Sequence, residues 1–332
     1  MRNILIRTGL TGLVFLFLVL NSSLKNNCEN CRFEEIYSGD SARGFCGLTI
    51  DRVSGSYAFN EFYFDHRSEL RYNTRIVSPQ TSGELIIESQ LLCLLEVDSS
   101  IVMYDSSHIY RLSRDGKILN SCEMIVRNPY KAKSSGGVLY FNDTRDQIIA
   151  VNVVSMKTDT LLNKEDVFNL ITPRPSACKI EDFDVQSGVL YAIVSVKSLD
   201  QMTTFLIKGD INTNEISYVV RKIKNQKNEA TYYKSPLIAL NRRGTPFFVA
   251  ERNDSCSVLY YLNRKYEVRE VYNIPVGIEI EQFFIAEKGQ ALFCGFDKKR
   301  RTFNYGVQPI KNYFRILYSW VSIYRLNLNE CK

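Results

Sequence analysis

The amino-acid sequence predicts an all-β protein: a six-bladed β-propeller of four-stranded antiparallel blades, following an N-terminal signal peptide. Three features carry this expectation. A short segment with an apolar centre, a turn and then an apolar, aromatic-rich strand recur down the chain, most plainly at 180–191 and at 280–293. The turn residues of six such units fall at positions 55, 100, 137, 188, 244 and 289, which is blade-like spacing. Between them lie short runs dominated by Val, Ile, Tyr, Phe and Thr, the composition of a half-buried pleated surface.

In chain order, residues 1–23 read as a secretory signal. Arg2 and Arg7 form a basic start, 10–20 is an apolar run, and Asn21, Ser22 and Ser23 supply small residues for cleavage. The stretch 8–20 falls short of the ~20 apolar residues that span hydrocarbon, so the expectation is cleavage and secretion to the extracellular space. Membrane anchorage is the alternative if the segment is retained. Residues 24–44 form a polar lead-in with an early strand near 34–37, and 45–332 form a single propeller domain. Strands are expected at 57–64, 84–87, 91–97, 101–104, 108–112, 138–141, 147–153, 189–196, 203–207, 216–220, 246–249, 257–262 and 291–296.

Turn chemistry agrees. Asp115-Gly116 is a hairpin signal, and 143–146 and 210–214 join further strand pairs. The segment 163–170 predicts a short helix inserted on a loop, with Asn163 as its cap and Pro173 and Pro175 beyond its end. The charged stretch 222–232 reads as an exposed loop. No Pro- or Gly-rich linker divides the chain. Two tandem β-sandwiches would need a boundary near residue 170 and would not produce the sixfold spacing.

Composition bounds the function. With 332 residues, 45% of them hydrophobic, the chain can bury a large core. The net charge of +6 includes Arg2 and Arg7 of the leader, and the remainder is too dispersed for a nucleic-acid footprint. Nine cysteines in an exported chain imply disulfides, with one cysteine left over. Cys28, Cys31 and Cys46 near one end and Cys331 at the other are the candidates, because a bridge between the ends of a propeller would stop the ring from opening. A zinc reading of Cys28 and Cys31 lacks a second pair of ligands. Asn142 and Asn253 begin glycosylation sequons placed just after strands.

Histidine is scarce, His66 and His108 only, and there is no Gly-x-Ser-x-Gly elbow. Carboxylates are the better site candidates. Glu181 and Asp182 precede Phe183, and Glu281 and Gln282 precede Phe283, each at the start of an expected innermost strand. Inner strands line a propeller's channel, so these four residues would converge on its mouth and favour a cation, either a protonated amine or Ca2+. The structural alternative is that they cap strand ends or pair with nearby lysines. The run Lys298, Lys299, Arg300, Arg301 reads as a solvated hairpin tip, and the C-terminal aromatics Tyr313, Phe314, Tyr318, Trp320 and Tyr324 read as blade packing.

The segment Gly137-Val-Leu-Tyr-Phe-Asn-Asp followed by Ile148-Ile-Ala-Val-Asn-Val resembles blades of the six-bladed propeller superfamily. In outline the chain is similar to exported members such as the insect yellow and royal-jelly group, which pair a signal peptide with a six-bladed ring and in part bind small amines in the channel. The motifs of that group do not align here, nor do the calcium-binding carboxylate and amides of six-bladed lactonase-type enzymes. No binding residue is therefore carried over, and the YWTD motif of receptor-type propellers is absent.

The leading expectation is a secreted, non-catalytic binding protein that holds a small ligand, such as a cationic amine, or an extracellular protein partner. The alternative is a calcium-dependent lactonase or esterase with Glu181 or Glu281 as base. A cell-surface adhesion module is the third reading. An open channel supports the small-ligand reading, and a plugged one moves function to the outer loops.

Overall fold

The computed structural model describes residues 31–331, apart from 39–43, 51, 53–54, 65, 68–69, 78–83, 90–91, 98–99, 106, 114, 127–130, 144–145, 199–200, 214, 221–236, 254–255, 287–288 and 298–320. The leader, Cys28, the 222–232 loop, the 298–301 run and the aromatics at 313–320 lie outside the described residues. So do the side chains of Cys46 and Asn253.

Among the described residues, twenty-four strands form six four-stranded antiparallel sheets arranged as the blades of a propeller. β1 (Phe33–Ser38) is taken up by the last blade. Blade 1 is β2 (Gly44–Ile50), β3 (Tyr57–Phe64), β4 (Leu70–Val77) and β5 (Glu84–Ser89). Blade 2 is β6 (Leu92–Val97), β7 (Ser100–Tyr104), β8 (His108–Ser113) and β9 (Ile118–Glu123). Blade 3 is β10 (Lys133–Ser135), β11 (Val138–Asn142), β12 (Ile148–Asn152) and β13 (Thr158–Leu162). Blade 4 is β14 (Ala177–Gln186), β15 (Val189–Ser198), β16 (Gln201–Asp210) and β17 (Glu215–Val220). Blade 5 is β18 (Leu237–Leu240), β19 (Pro246–Asn253), β20 (Cys256–Leu262) and β21 (Val268–Asn273). Blade 6 is β22 (Ile278–Ile285), β23 (Gln290–Asp297) and β24 (Val321–Asn327), completed by β1.

All six expected turn residues fall where the innermost strand of a blade reverses into the second. Gly55, Gly137, Gly188, Gly244 and Gly289 have φ between 71° and 77°, the left-handed region in which a side chain is costly. At Gly188 and Gly289 a Cβ would also meet Asn212 and Asn329 at under 3.0 Å.

Each blade must cover both of its faces, and one apolar cluster fills each of the six junctions. Ala58 and Ile76 meet Ile101 and Met103 between blades 1 and 2. Val102 and Tyr104 meet Leu139 and Phe141 between blades 2 and 3. Ile148 meets Phe183 and Val185 between blades 3 and 4. Ile193 meets Ile238 between blades 4 and 5, Leu237 meets Phe283 between blades 5 and 6, and Leu48 meets Phe284 between blades 6 and 1. The last junction closes the ring and rules out a tandem pair of sandwiches.

Two-sided burial explains which strands are legible. β7 is buried throughout, and Tyr191 to Val196 of β15 are buried without a break. The outermost strand β21 (Val-Arg-Glu-Val-Tyr-Asn) is exposed or half-buried throughout and carries no such apolar run. β4, with Arg71, Asn73 and Arg75, is similarly silent.

The expected helix is α1 (Lys164–Leu170), in the loop from blade 3 to blade 4. The Asn163 side chain accepts from Asp166 N at 3.0 Å, and the Asp166 carboxylate accepts from Asn163 N at 2.8 Å, a reciprocal cap. Val167 and Phe168 anchor it in the junction between blades 3 and 4.

The early strand expected in the lead-in is Phe33–Ser38, and it pairs with β24 as the outer strand of blade 6. Cys31 and Cys331 form a disulfide at this seam across 300 residues of sequence. N-terminal strand and C-terminal hairpin thus share one sheet and a covalent latch.

Candidate functional site

A propeller's inner strands are sheet edges, and their inward N–H groups need acceptors. Asp182 and Gln282, singled out from the sequence, and Asp184, which was not, supply three of them. Asp182 Oδ2 accepts from Ile238 N at 2.9 Å, and Asp184 Oδ2 accepts from Leu240 N at 2.6 Å, so two side chains of β14 bind the free edge of β18. Gln282 Oε1 does the same for β2, accepting from Leu48 N at 2.8 Å. Asp182, Asp184 and Gln282 are all buried.

Glu181 and Glu281 occupy β-bulges, where pairing slips between Ile180 and Asp182 and between Ile280 and Gln282. The extra residue re-aims the side chain that follows it. Glu181 forms an ion pair with Lys179, and Glu281 is half-buried. The expected quartet is therefore divided: Asp182 serves blade 5, Gln282 serves blade 1, and Glu181 turns to a lysine of its own strand.

The axis of the ring is crossed by residues that sequence reasoning did not single out. Arg52, two residues beyond β2, is 5% exposed and pairs with Asp184 of the opposite blade, which is 0% exposed. It also donates to Val185 O at 3.3 Å and to Gln186 Oε1 at 3.1 Å. Ser135 Oγ reaches the same Gln186 Oε1 at 3.2 Å, and Ser134 Oγ donates to Ile50 O at 2.6 Å, from blade 3 to blade 1. Lys133, 4% exposed, donates to Ile238 O at 3.4 Å and sets its ammonium 4.4 Å above the ring of Phe284. Two cations and two carboxylates thus share the core of the channel, and side chains link blade 1 to 3 and 4, and blade 3 to 5 and 6.

This arrangement suits structure better than turnover. The hydroxyls of Ser134 and Ser135 bond to a carbonyl and an amide, with no imidazole at either. Tyr140 has its pKa raised by burial and by the Asp184 charge, with Arg52 opposing, and so it stays protonated. Among the described residues no three His, Cys, Asp or Glu side chains converge as metal ligands. His66 is exposed in a turn, and His108 stands in the blade 2 hairpin, its Nδ1 2.8 Å from Ser107 Oγ. Asp105 binds that turn: it accepts from Ser107 N, Ser107 Oγ, His108 N and Tyr110 OH. Burial pushes its pKa up, but these donors outweigh burial and lower it to about 2.

Sequence pattern held a signal for the missed residues. Lys133, Asp184 and Phe284 stand opposite Tyr140, Tyr191 and Leu292, the same rung of three blades. Seeing this requires the blade register, which the linear repeat does not supply.

Asn142, the first sequon, ends β11 with its Nδ2 donating to Ile180 O at 3.1 Å and its Oδ1 buried. Cys122 and Cys178 are free thiols, and burial raises Cys178 to about 11.

No protein-family model matches this sequence, and comparison with curated proteins finds no match either. Solved structures resemble it distantly. Streptogramin B lyase is 11% identical over 90% of this chain and 98% of its own, with a TM-score of 0.43. The N-terminal domain of Nup159 is 9% identical over 81% of this chain and 78% of its own, also with a TM-score of 0.43. Atg21 in complex with the Atg16 coiled coil is 10% identical over 76% and 78%, with a TM-score of 0.45. The six-bladed assignment rests on strand topology and the six interblade clusters, independently of these likenesses.

Proposed function

We propose that this chain is an exported, non-catalytic binding protein that recognises its partner with the outer surface of the ring rather than within the channel. One observation carries the reading: the channel core is spanned by Arg52–Asp184 and Lys133–Phe284, contacts between opposite blades, and two of the groups expected to bind a ligand there, Asp182 and Gln282, are committed to backbone N–H groups. A cationic amine entering at this level must displace Arg52 or Lys133 from buried carboxylate and aromatic partners. Truncating either partner of such a contact is costly, and binding at an exposed loop surface breaks no comparable buried pair. Export rests on the leader sequence and on a seam disulfide of the kind oxidising compartments sustain.

The test has two arms. Expression in secreting eukaryotic cells should deliver the protein to the medium, starting near residue 24. Thermal melts with a panel of primary amines, and with Ca2+ against chelator, should show no saturable stabilisation. A ligand that raises the melting temperature in the wild type but not in Lys133→Met would place binding in the channel and sink the reading.

A further inference from the structure

Blade 5 carries the same turn twice. At 241–245 and 263–267 the leading Asn accepts through Oδ1 from the backbone N–H groups two and four residues on, all at 2.9 Å. Asn241 N donates to Thr245 O at 3.1 Å and Asn263 N to Glu267 O at 3.0 Å. Gly244 N and Tyr266 N each close the turn onto the leading Asn carbonyl at 2.9 Å. The fourth residue is left-handed in both, Gly244 at φ 71° and Tyr266 at φ 60°. Positions two and three are dibasic in both: Arg242 and Arg243 in one turn, Arg264 and Lys265 in the other, all four exposed.

Strand order puts these tips side by side. One joins β18 to β19 and the other β20 to β21, and in an antiparallel sheet both turns lie at the same end of the blade. Two strand spacings separate them, about 10 Å. The nearest acid in sequence, Glu267, is already engaged by Arg269 at 2.8 Å and by Asn263 Nδ2 at 2.9 Å. Tyr266, in the second of these turns, is 48% exposed. A tyrosine in the left-handed region costs about 1 kcal/mol or more where its sister turn uses glycine, and strain that persists at an exposed aromatic points to use.

We propose that this end of blade 5 binds a linear sulfated polysaccharide, whose anionic groups bridge the two dibasic turns while Tyr266 packs against the sugar chain. Arginine forks match sulfate oxygens bidentately. A flat anionic membrane fits less well, because the other turns at this end expose Asp115, Glu215 and Glu330. A chain laid across one blade avoids these acids. The choice of an extracellular polyanion rests on the export reading, while the basic site itself does not.

Heparin immobilised on a sensor, with the secreted full chain at low salt, provides the test. Wild type should bind saturably and weaken steeply with salt. Arg242→Gln with Arg243→Gln, and Arg264→Gln with Lys265→Gln, should each lower affinity about tenfold, and the four changes together more. Lys117→Gln with Lys157→Gln, on turns of blades 2 and 3 at the same end, should leave affinity unchanged. Protection of Lys265 from acetylation by bound heparin, read by mass spectrometry on wild type, does not depend on any variant folding. Three results overturn the proposal: a fourfold-substituted protein that melts and binds like wild type, equal loss in the Lys117 and Lys157 variant, or wild-type binding to phosphatidylserine vesicles in place of heparin. Failure here with an inert channel and normal secretion leaves the broader functional reading intact.

Discussion

Lys133 of the third blade holds its ammonium 4.4 Å above the ring of Phe284 in the sixth, on the opposite side of the ring. Together with the pairing of Arg52 and Asp184 between blades 1 and 4, this makes the channel a polar core rather than a vacant pocket. Buried ion pairs add little net stability over apolar packing, but a single truncation leaves a charge buried and unmatched.

Arg52→Met is therefore expected to cost about 3–5 kcal/mol in urea denaturation, since Asp184 stays at 0% exposure with only backbone donors left. Asp184→Asn keeps an acceptor for Leu240 N and should cost less. A loss under about 1 kcal/mol for Arg52→Met would show that the crossing contact does not hold the channel shut.

Edge satisfaction by Asp182 and Gln282 is local, so its loss should be local too. Asp182→Leu and Gln282→Leu each leave one buried N–H without an acceptor, at about 1–3 kcal/mol. Amide exchange should accelerate at Ile238 in the first variant and at Leu48 in the second, before neighbouring amides follow. Uniform acceleration across both blades would contradict the assignment.

At the seam, Cys331→Ser frees chain ends that the bridge holds together across 300 residues. Chain-entropy reasoning puts the loss at up to about 5 kcal/mol, and β1–β24 pairing should loosen first. A non-reducing melt unchanged from wild type would argue against the latch.

Asp105 gives a pH signature. Its carboxyl is held at about 2 in the fold against an ordinary 3.8, so it favours the native state above pH 4. That contribution disappears as pH falls from about 4 towards 2. Asp105→Asn should flatten stability across this window, with Tyr110→Phe giving part of the same change.

Asn142 should remain unglycosylated. Its amide nitrogen already donates to Ile180 O, so Asn142→Gln in secreting cells should leave the protein's glycan mass unchanged while lowering stability by about 1 kcal/mol. A loss of glycan mass would show that modification precedes formation of this contact.

Sequence alone determined the repeated hairpin. Gly188 and Gly289 mark turns that demand left-handed backbone, Asn163 caps a helix, and apolar second strands such as β15 announce themselves because both of their faces are covered. These are short-range matters of dihedral preference and burial, written in adjacent residues. Tertiary structure decided the use of the polar groups. Asp182 reads the same in a linear chain whether it meets a ligand or the N–H of Ile238, 56 residues on, and nothing local to Arg52 indicates that Asp184 lies across the ring, 132 residues away. Ring closure sets those distances, and burial then makes each unpaired donor or charge too costly to leave unmatched.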